Sequence, residues 1–316
     1  MPSSKESAAL DAGSRFLLER QDPDGLWRDY ELDPGQSDAW TTSYAGVALA
    51  RAVPGLAQGA LARAREAVAA LARPAGWGYN TSTACDADTT SWALRLLEGR
   101  PGVGALSPYL DESGQAHTFA DPMFGSWSWA HADVTPAAGL ALVAGRGPRW
   151  AVELLRDACL AAREPDGTWR SFWWTTDAYA VALNLEFLDV SGGIPADAVE
   201  AIRDWLAAVP AAASAFETAQ LVVVAALVGA DASGRVSELV ALQREDGGWP
   251  ASAVLLVPSQ ETGVPGTGQA DVRRLVTTAT AIYALAQPNV AKGLARARAS
   301  RASCAHTRAG GPPWRR

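Results

Sequence analysis

The chain has 316 residues, of which 48% are hydrophobic and 19% charged, and it carries a net charge of −7. That composition fills a large core and excludes a mainly disordered chain, and no apolar run reaches the ~18 residues that cross a bilayer, the longest being Leu221–Ala230. Residues 1–287 hold 20 bases against 34 acids, while 288–316 hold seven bases and no acid; this argues against nucleic acid as a partner of the body and marks 288–316 as a basic, flexible tail.

In chain order, an amphipathic helix over 8–20 runs into the turn Gln21-Asp22-Pro23-Asp24-Gly25-Leu26-Trp27, and a first all-apolar segment, 42–49, comes next. Gly76-Trp77 precedes a second such segment at 90–97, and Gly125-Ser126-Trp127 a third at 135–142. Arg163-Glu164-Pro165-Asp166-Gly167-Thr168-Trp169 repeats the first turn ahead of 176–183. The amphipathic stretch Pro195–Val209 leads to 218–227, a helix over 236–243 to the turn Gln243–Trp249, and a long loop, 250–272, to the last segment, 278–285. Asp-Gly is turn chemistry, the glycine supplying a positive φ.

The six apolar segments align on Thr42, Thr90, Thr135, Thr176, Thr218 and Thr278, at spacings of 48, 45, 41, 42 and 60 residues. Such a period marks a repeat architecture. Segments apolar on nearly every side belong inside and amphipathic ones outside; an open helical superhelix has a similar period, but six copies and an inner set with little polar face favour an all-α, single-domain (α/α)6 barrel over 1–287. No strand alternation stands out.

Two residues before each aligned threonine stand Trp40, Asp88, Asp133, Trp174, Phe216 and Val276; four further on come Tyr44, Trp92, Ala137, Ala178, Gln220 and Thr280. Positions four apart share a helix face, so two acids are expected among aromatics on one cavity wall. Trp127 and Trp129, with Trp173 beside Trp174, enrich the same rim. A carboxyl in such a setting is a proton donor if burial and a second carboxylate hold it neutral, and ring faces stabilise a cation by ~0.5–2 kcal/mol each. The alternative is that Asp86, Asp88 and Asp133 are helix N-caps, where the helix field lowers a carboxyl pKa. Arg28, Arg170, Arg273 and Arg274 lie on loops at one barrel end, either to bind an anionic substrate group or to pair with surface acids. The 250–272 loop reads as a lid. Cys85, Cys159 and Cys304 form no disulfide framework, the N-terminal stretch shows no secretory pattern, and a cytoplasmic setting is expected.

The turns at 21–27 and 243–249, with the variant at 163–169, resemble those of the squalene-hopene cyclase and protein prenyltransferase β-subunit superfamily over roughly residues 5–287. The resemblance implies an (α/α)6 toroid. Asp86-Ala87-Asp88-Thr89 is similar to the Asp-x-Asp-Asp motif of class II terpene cyclases, with Thr89 in place of the last Asp. That likeness implies a terpene cyclase of the isomerase or lyase class, in which Asp88 protonates a linear isoprenoid (a prenyl diphosphate, polyene or epoxide) beside Asp86. The last proton would go to Asp133, His131 or water. Trp40, Tyr44, Trp92, Trp127, Trp129, Trp173, Trp174, Phe216 and Arg273 are the expected substrate-binding residues.

The prenyltransferase branch instead holds zinc with an Asp-x-Cys pair and a later His. Asp157-Ala158-Cys159 has that spelling, but on an expected outer helix, and no His falls between His131 and His306. No metal site is expected and no cofactor is required, with Mg²⁺ relevant only if the substrate is a diphosphate. Two rival readings stand: a carbohydrate hydrolase or lyase using Asp88 and Asp133 as paired carboxylates, and a non-catalytic isoprenoid-binding protein. Class II relatives use two helical domains. The mouth of a single barrel is therefore left to the 250–272 loop, to a homodimer, to a second helical domain in another chain, or to contact with a membrane.

Overall fold

The computed structural model describes residues 4–100, 102–210, 212 and 214–287; the basic tail, with Cys304 and His306, lies outside the described residues. Six segments buried on nearly all sides form the inner helices: α2 (Ala39–Ala52), α4 (Ala87–Leu96), α5 (Thr135–Ala144), α7 (Asp177–Ser191), α9 (Ala215–Val228) and α11 (275–287). In α7 every residue from Ala178 to Leu188 is buried. The outer helices are α1 (Ser4–Leu18), α3 (Pro54–Ala70), α6 (Arg149–Ala161), α8 (Ala196–Ala208) and α10 (Ser233–Ala241). They bury one stripe only, such as Ala198, Ile202 and Leu206 of α8, as an outer amphipathic helix must. Neighbouring inner helices pack in order from α2 to α9; a 2.8 Å hydrogen bond between Tyr44 and Thr280 joins α2 to α11, and α1 packs on α10. The two rings thus close into the expected barrel.

The third outer position departs from the pattern. A 3-10 helix, Val103–Tyr109, stands there, and a second, Pro122–Ser128, comes after it. Gly102, Gly104 and Pro108 weaken an α-helix in that stretch. Two short antiparallel hairpins also appear where no alternation was visible: β1 (Asp29–Leu32) with β2 (Gly35–Ser37), and β3 (Val254–Leu256) with β4 (Gly268–Ala270). Strands of three or four residues are too short to carry a period. Among the described residues no helix is long and apolar enough to cross a membrane.

The repeated turns are fasteners between neighbouring outer helices. The indole N–H of each turn tryptophan donates to a carbonyl near the end of the preceding outer helix: Trp27 to Leu17 (2.8 Å), Trp77 to Val68 (2.7 Å), Trp169 to Cys159 (2.7 Å) and Trp249 to Leu239 (2.7 Å). Those carbonyls belong to the orphan set at a helix C-terminus. Gln21 donates to Gly25 (2.8 Å) and to Ala60 of the next outer helix (2.9 Å), and Gln243 does the same to Gly247 (2.7 Å) and Ala9 (2.8 Å). Where arginine replaces glutamine, Arg163 reaches α8 by an ion pair to Asp197, 2.8 Å. Gly25 has φ +88°, and a Cβ there would sit 2.8 Å from the Arg63 carbonyl, so both conformation and space require glycine.

The aligned threonines serve the same turns. The hydroxyls of Thr42, Thr90 and Thr278 accept from the backbone N–H of Trp27 (2.9 Å), Trp77 (3.0 Å) and Trp249 (3.2 Å). These three, and Thr218, are each fourth in their helix. The other two correct the alignment: Thr135 begins α5, and Thr176 is the N-cap of α7, its hydroxyl accepting from Ala178. Asp133 and Trp174 therefore lie ahead of their helices rather than on them.

Candidate active site

A cavity of about 350 Å³ opens at the N-termini of α2 and α4, beside the segment that leads into α7. Its walls carry Trp40, Phe119, Trp127, Trp173 and Trp174, with Leu255, Leu256 and Val257 of the 250–272 segment on the far side. That segment seats firmly. Leu256 N–H donates to the Trp173 carbonyl (2.8 Å), Ser126 N–H to Gln260 (2.6 Å) and the Trp127 indole to Pro258 (2.7 Å). At its base Asp271, fully buried, accepts from the backbone N–H of Ser252, Ala253 and Thr277. The opposite end of the barrel is plugged by Glu186, which accepts from Tyr283 and has Arg51 and Arg95 each 3.9 Å away.

Asp86 and Asp88 enter this cavity from the start of α4. Asp86 is the N-cap: its two oxygens accept from the Thr89 backbone N–H (2.7 Å) and hydroxyl (2.8 Å). Thr89, standing where related motifs place a third Asp, thus holds the cap instead. Asp88, second in the helix, receives the Trp40 indole N–H on Oδ2 at 2.6 Å; its Oδ1 is buried without a hydrogen-bond partner. Burial is the main force raising the Asp88 pKa well above the usual carboxylate range, with Asp86 next and Asp133 adding; the Trp40 bond and Arg95 oppose it. Burial likewise lifts Asp86 to about 6 against its bonds to Thr89. The helix-end field favours a carboxylate, but burial and the neighbouring acid oppose it and push Asp88 toward its neutral form.

Asp133 has different work. Its Oδ2 accepts the backbone N–H groups of Phe172 (2.9 Å) and Trp173 (3.0 Å), fixing the strand of chain that carries Trp173 and Trp174; it does not line the cavity. Burial lifts it to about 6 against those two bonds. His131 stacks on Phe172 at 3.6 Å, donates to the Ser126 carbonyl, and is pushed down to about 4 by burial, so it is neutral at pH 7.

The aromatic residues divide by depth. Trp40, Trp127, Trp173 and Trp174 face the cavity. Tyr44 stacks beneath Trp40 at 5.1 Å, Trp92 lies 4.6 Å from Tyr44, and Phe216 stacks on Trp174 at 5.1 Å. Tyr44 and Trp92 line a separate pocket of about 30 Å³ deeper in the barrel. Tyr179, 4.9 Å from Trp174, completes the cluster. It was missed because the Thr176 alignment displaced α7; a tyrosine in the first turn of a buried, mostly aliphatic run was the available signal. Two expectations are corrected. Trp129 is 54% exposed and outside the lining. Arg273 is bound to Asp22 (3.2 Å) and to the carbonyls of Arg28 and Arg20, also outside the lining. Arg28, Arg170 and Arg274 pair with Asp24, Asp177 and Asp246. Acids in or beside the same turns outcompete a distant cavity for them.

Asp157 and Cys159 sit on α6, whose Cys159 is buried, its thiol pushed up by burial. Among the described residues no group of three or more His, Cys, Asp or Glu is placed to hold a metal ion.

No protein-family profile matches the chain, and no curated protein matches it significantly. Among solved structures it is similar to the type II terpene cyclase MstE from Scytonema, with 26% identity over 91% of this chain and 98% of that one and a TM-score of 0.81. MstE is also known with geranylgeranyl dihydroxybenzoate as substrate (26% identity, 90% and 97% coverage, TM-score 0.78) and with merosterolic acid A as product. The fold is shared by ent-copalyl diphosphate synthase from Streptomyces platensis, at 21% identity over 79% of this chain and 50% of that chain, TM-score 0.61. An alpha-1,6-mannanase of Salegentibacter sp. shares it too, at 9% identity over 89% and 99%, TM-score 0.59.

Proposed function

We propose, from the premise that this chain belongs to the terpenoid cyclase-like superfamily and is a class II terpene cyclase, that Asp88 is the acid that starts its reaction. The observation that carries this role is a cavity-lining carboxyl with unlike oxygens, where Asp133, with one bonded and one unpartnered oxygen of its own, lies outside the lining. Oδ2 of Asp88 is held by Trp40, while its Oδ1 is free, buried and raised in proton affinity beside an aromatic cavity.

Oδ1 would carry the proton and deliver it to the terminal alkene carbon of a bound isoprenoid. The adjacent carbon becomes a tertiary cation, successive internal double bonds attack to close rings, and the last cation loses a proton to a base. The Trp40 N–H stabilises the carboxylate left on Asp88. Trp174, Trp173 and Trp127 present unreactive ring faces, each able to stabilise positive charge by ~0.5–2 kcal/mol. Leu255, Leu256 and Val257 keep water from quenching the cation. Asp133 acts as a positioning residue for 172–174 rather than as the final base. Protonation of this kind needs no cofactor. The 250–272 segment supplies one wall of the cavity from the same chain, and a cytoplasmic setting suits the free Cys85 and Cys159.

A carbohydrase would need Asp88 and Asp133 facing one substrate. Asp133 gives one oxygen to the backbone and lies outside the cavity lining, whose wall is mainly indole and aliphatic. A geranylgeranylated phenol, close to the geranylgeranyl dihydroxybenzoate that MstE takes but without its carboxylate, is the first compound to supply. Incubation should give a cyclic product by GC–MS, and Asp88→Asn should lower its formation by about 10²–10⁴-fold. Undiminished product from the variant removes Asp88 as the acid.

A further inference from the structure

The cavity mouth points to the substrate's other end. Glu31 and Asp33, on the β1–β2 hairpin, line the entrance with exposed carboxylates. The hairpin is anchored: the Asn80 side chain donates to the carbonyls of Pro34 (2.9 Å) and Gln36 (3.0 Å). No ion pair is made by Glu31 or Asp33 among the described residues. Further in come Asp86 and Asp88. Among the described residues no Lys, Arg or His lines the cavity, and its remaining polar groups are Thr83, Thr89, Thr118, Thr267, Gln269 and the Tyr79 phenol. The arginines placed at this end by the sequence are taken by acids of the repeated turns and of the α7 start.

An anionic head group would meet carboxylates with no cation to bind it, which costs affinity and slows encounter. A hydroxyl, phenol or N–H would meet acceptors. Protonation at Asp88 requires the terminal alkene of the isoprenoid to lie inward, so its head lies outward, at Glu31 and Asp33. Resting on the cyclase reading above, we propose that this cyclase takes an isoprenoid whose head group is non-anionic and donates hydrogen bonds, and that Glu31 and Asp33 select against a diphosphate. The deep carboxyl does the chemistry, and the two outer carboxylates choose what enters.

Saturated analogues separate binding from turnover. Titration of the full chain with perhydrogeranylgeraniol and with its diphosphate, monitored by tryptophan fluorescence at physiological salt, should show the alcohol binding about tenfold tighter or more. Glu31→Lys/Asp33→Lys, both at exposed positions, should raise diphosphate affinity by about tenfold and weaken the alcohol, which loses its acceptors, by about threefold or more. Equal or tighter binding of the diphosphate by the unaltered chain overturns the inference, as does a charge-reversed variant with unchanged preference. If neither chain binds, the inference and the cyclase reading fall together. If cyclic product survives Asp88→Asn while the binding order holds, the acid assignment alone falls.

Discussion

Asp88 holds its two oxygens in different environments, and the consequences are measurable one residue at a time. The acid form is the active form. Activity is therefore full below the apparent pKa of the Asp86–Asp88 pair and is lost as pH rises through it. Trp40 donates to the carboxylate and so lowers that pKa. Trp40→Phe should keep the ring, weaken the acid, reduce kcat by about 10–100-fold with KM little changed, and move the alkaline limb of the pH profile upward. A profile that stays in place while kcat falls would mean that Trp40 only packs. The Asp-x-Asp pair was legible through its likeness to the class II motif, since residue types and spacing alone left Asp88 open to a helix-cap reading. The indole that orients it was read as a cavity wall only, since its bond spans two helices and leaves no local signature. Arg273 was misread for the converse reason: a partner, Asp22, from a turn 251 residues away in sequence claims it.

At the scale of elements, the stability of the barrel concentrates in the turn tryptophans. Trp249 is fully buried, ties its indole to Leu239 and its backbone N–H to Thr278, and so links α10, the turn and α11. Trp249→Phe leaves the Leu239 carbonyl unpaired by the side chain and opens a void; it should lower unfolding free energy by about 1–3 kcal/mol, read from urea denaturation. A change within about 0.5 kcal/mol would deny these turns their fastening role. Six helical pairs were visible because inner helices are apolar all round and outer ones are not. Boundaries slipped at Thr135 and Thr176, where a threonine starts or caps its helix instead of clasping a turn. The third outer position could not be read as a helix or as its 3-10 replacement, because glycine and proline break the helical period without specifying the conformation that replaces it.

For the whole molecule, one closed ring of helices supplies a dry cavity, an acid at the helix N-termini and a cover from its own chain. Relatives known by their sequence likeness suggested that a single barrel would leave its mouth open. Here the β3–β4 hairpin, hydrogen-bonded to 173–175 and to Trp127, forms one wall. The length and apolar start of 250–272 announced a lid, but its strand pairing depends on edges contributed by residues far away in sequence. A proton from Asp88 starting ring closure is tested most directly by turnover of a geranylgeranylated aromatic in D₂O, with mass spectrometry and NMR of the product. One deuterium is expected, at the carbon that was the terminal alkene CH, with product from Asp88→Asn lowered by about 10²–10⁴-fold. Cyclic product without deuterium at that carbon, or labelled product formed by the variant at the unaltered rate, would contradict it.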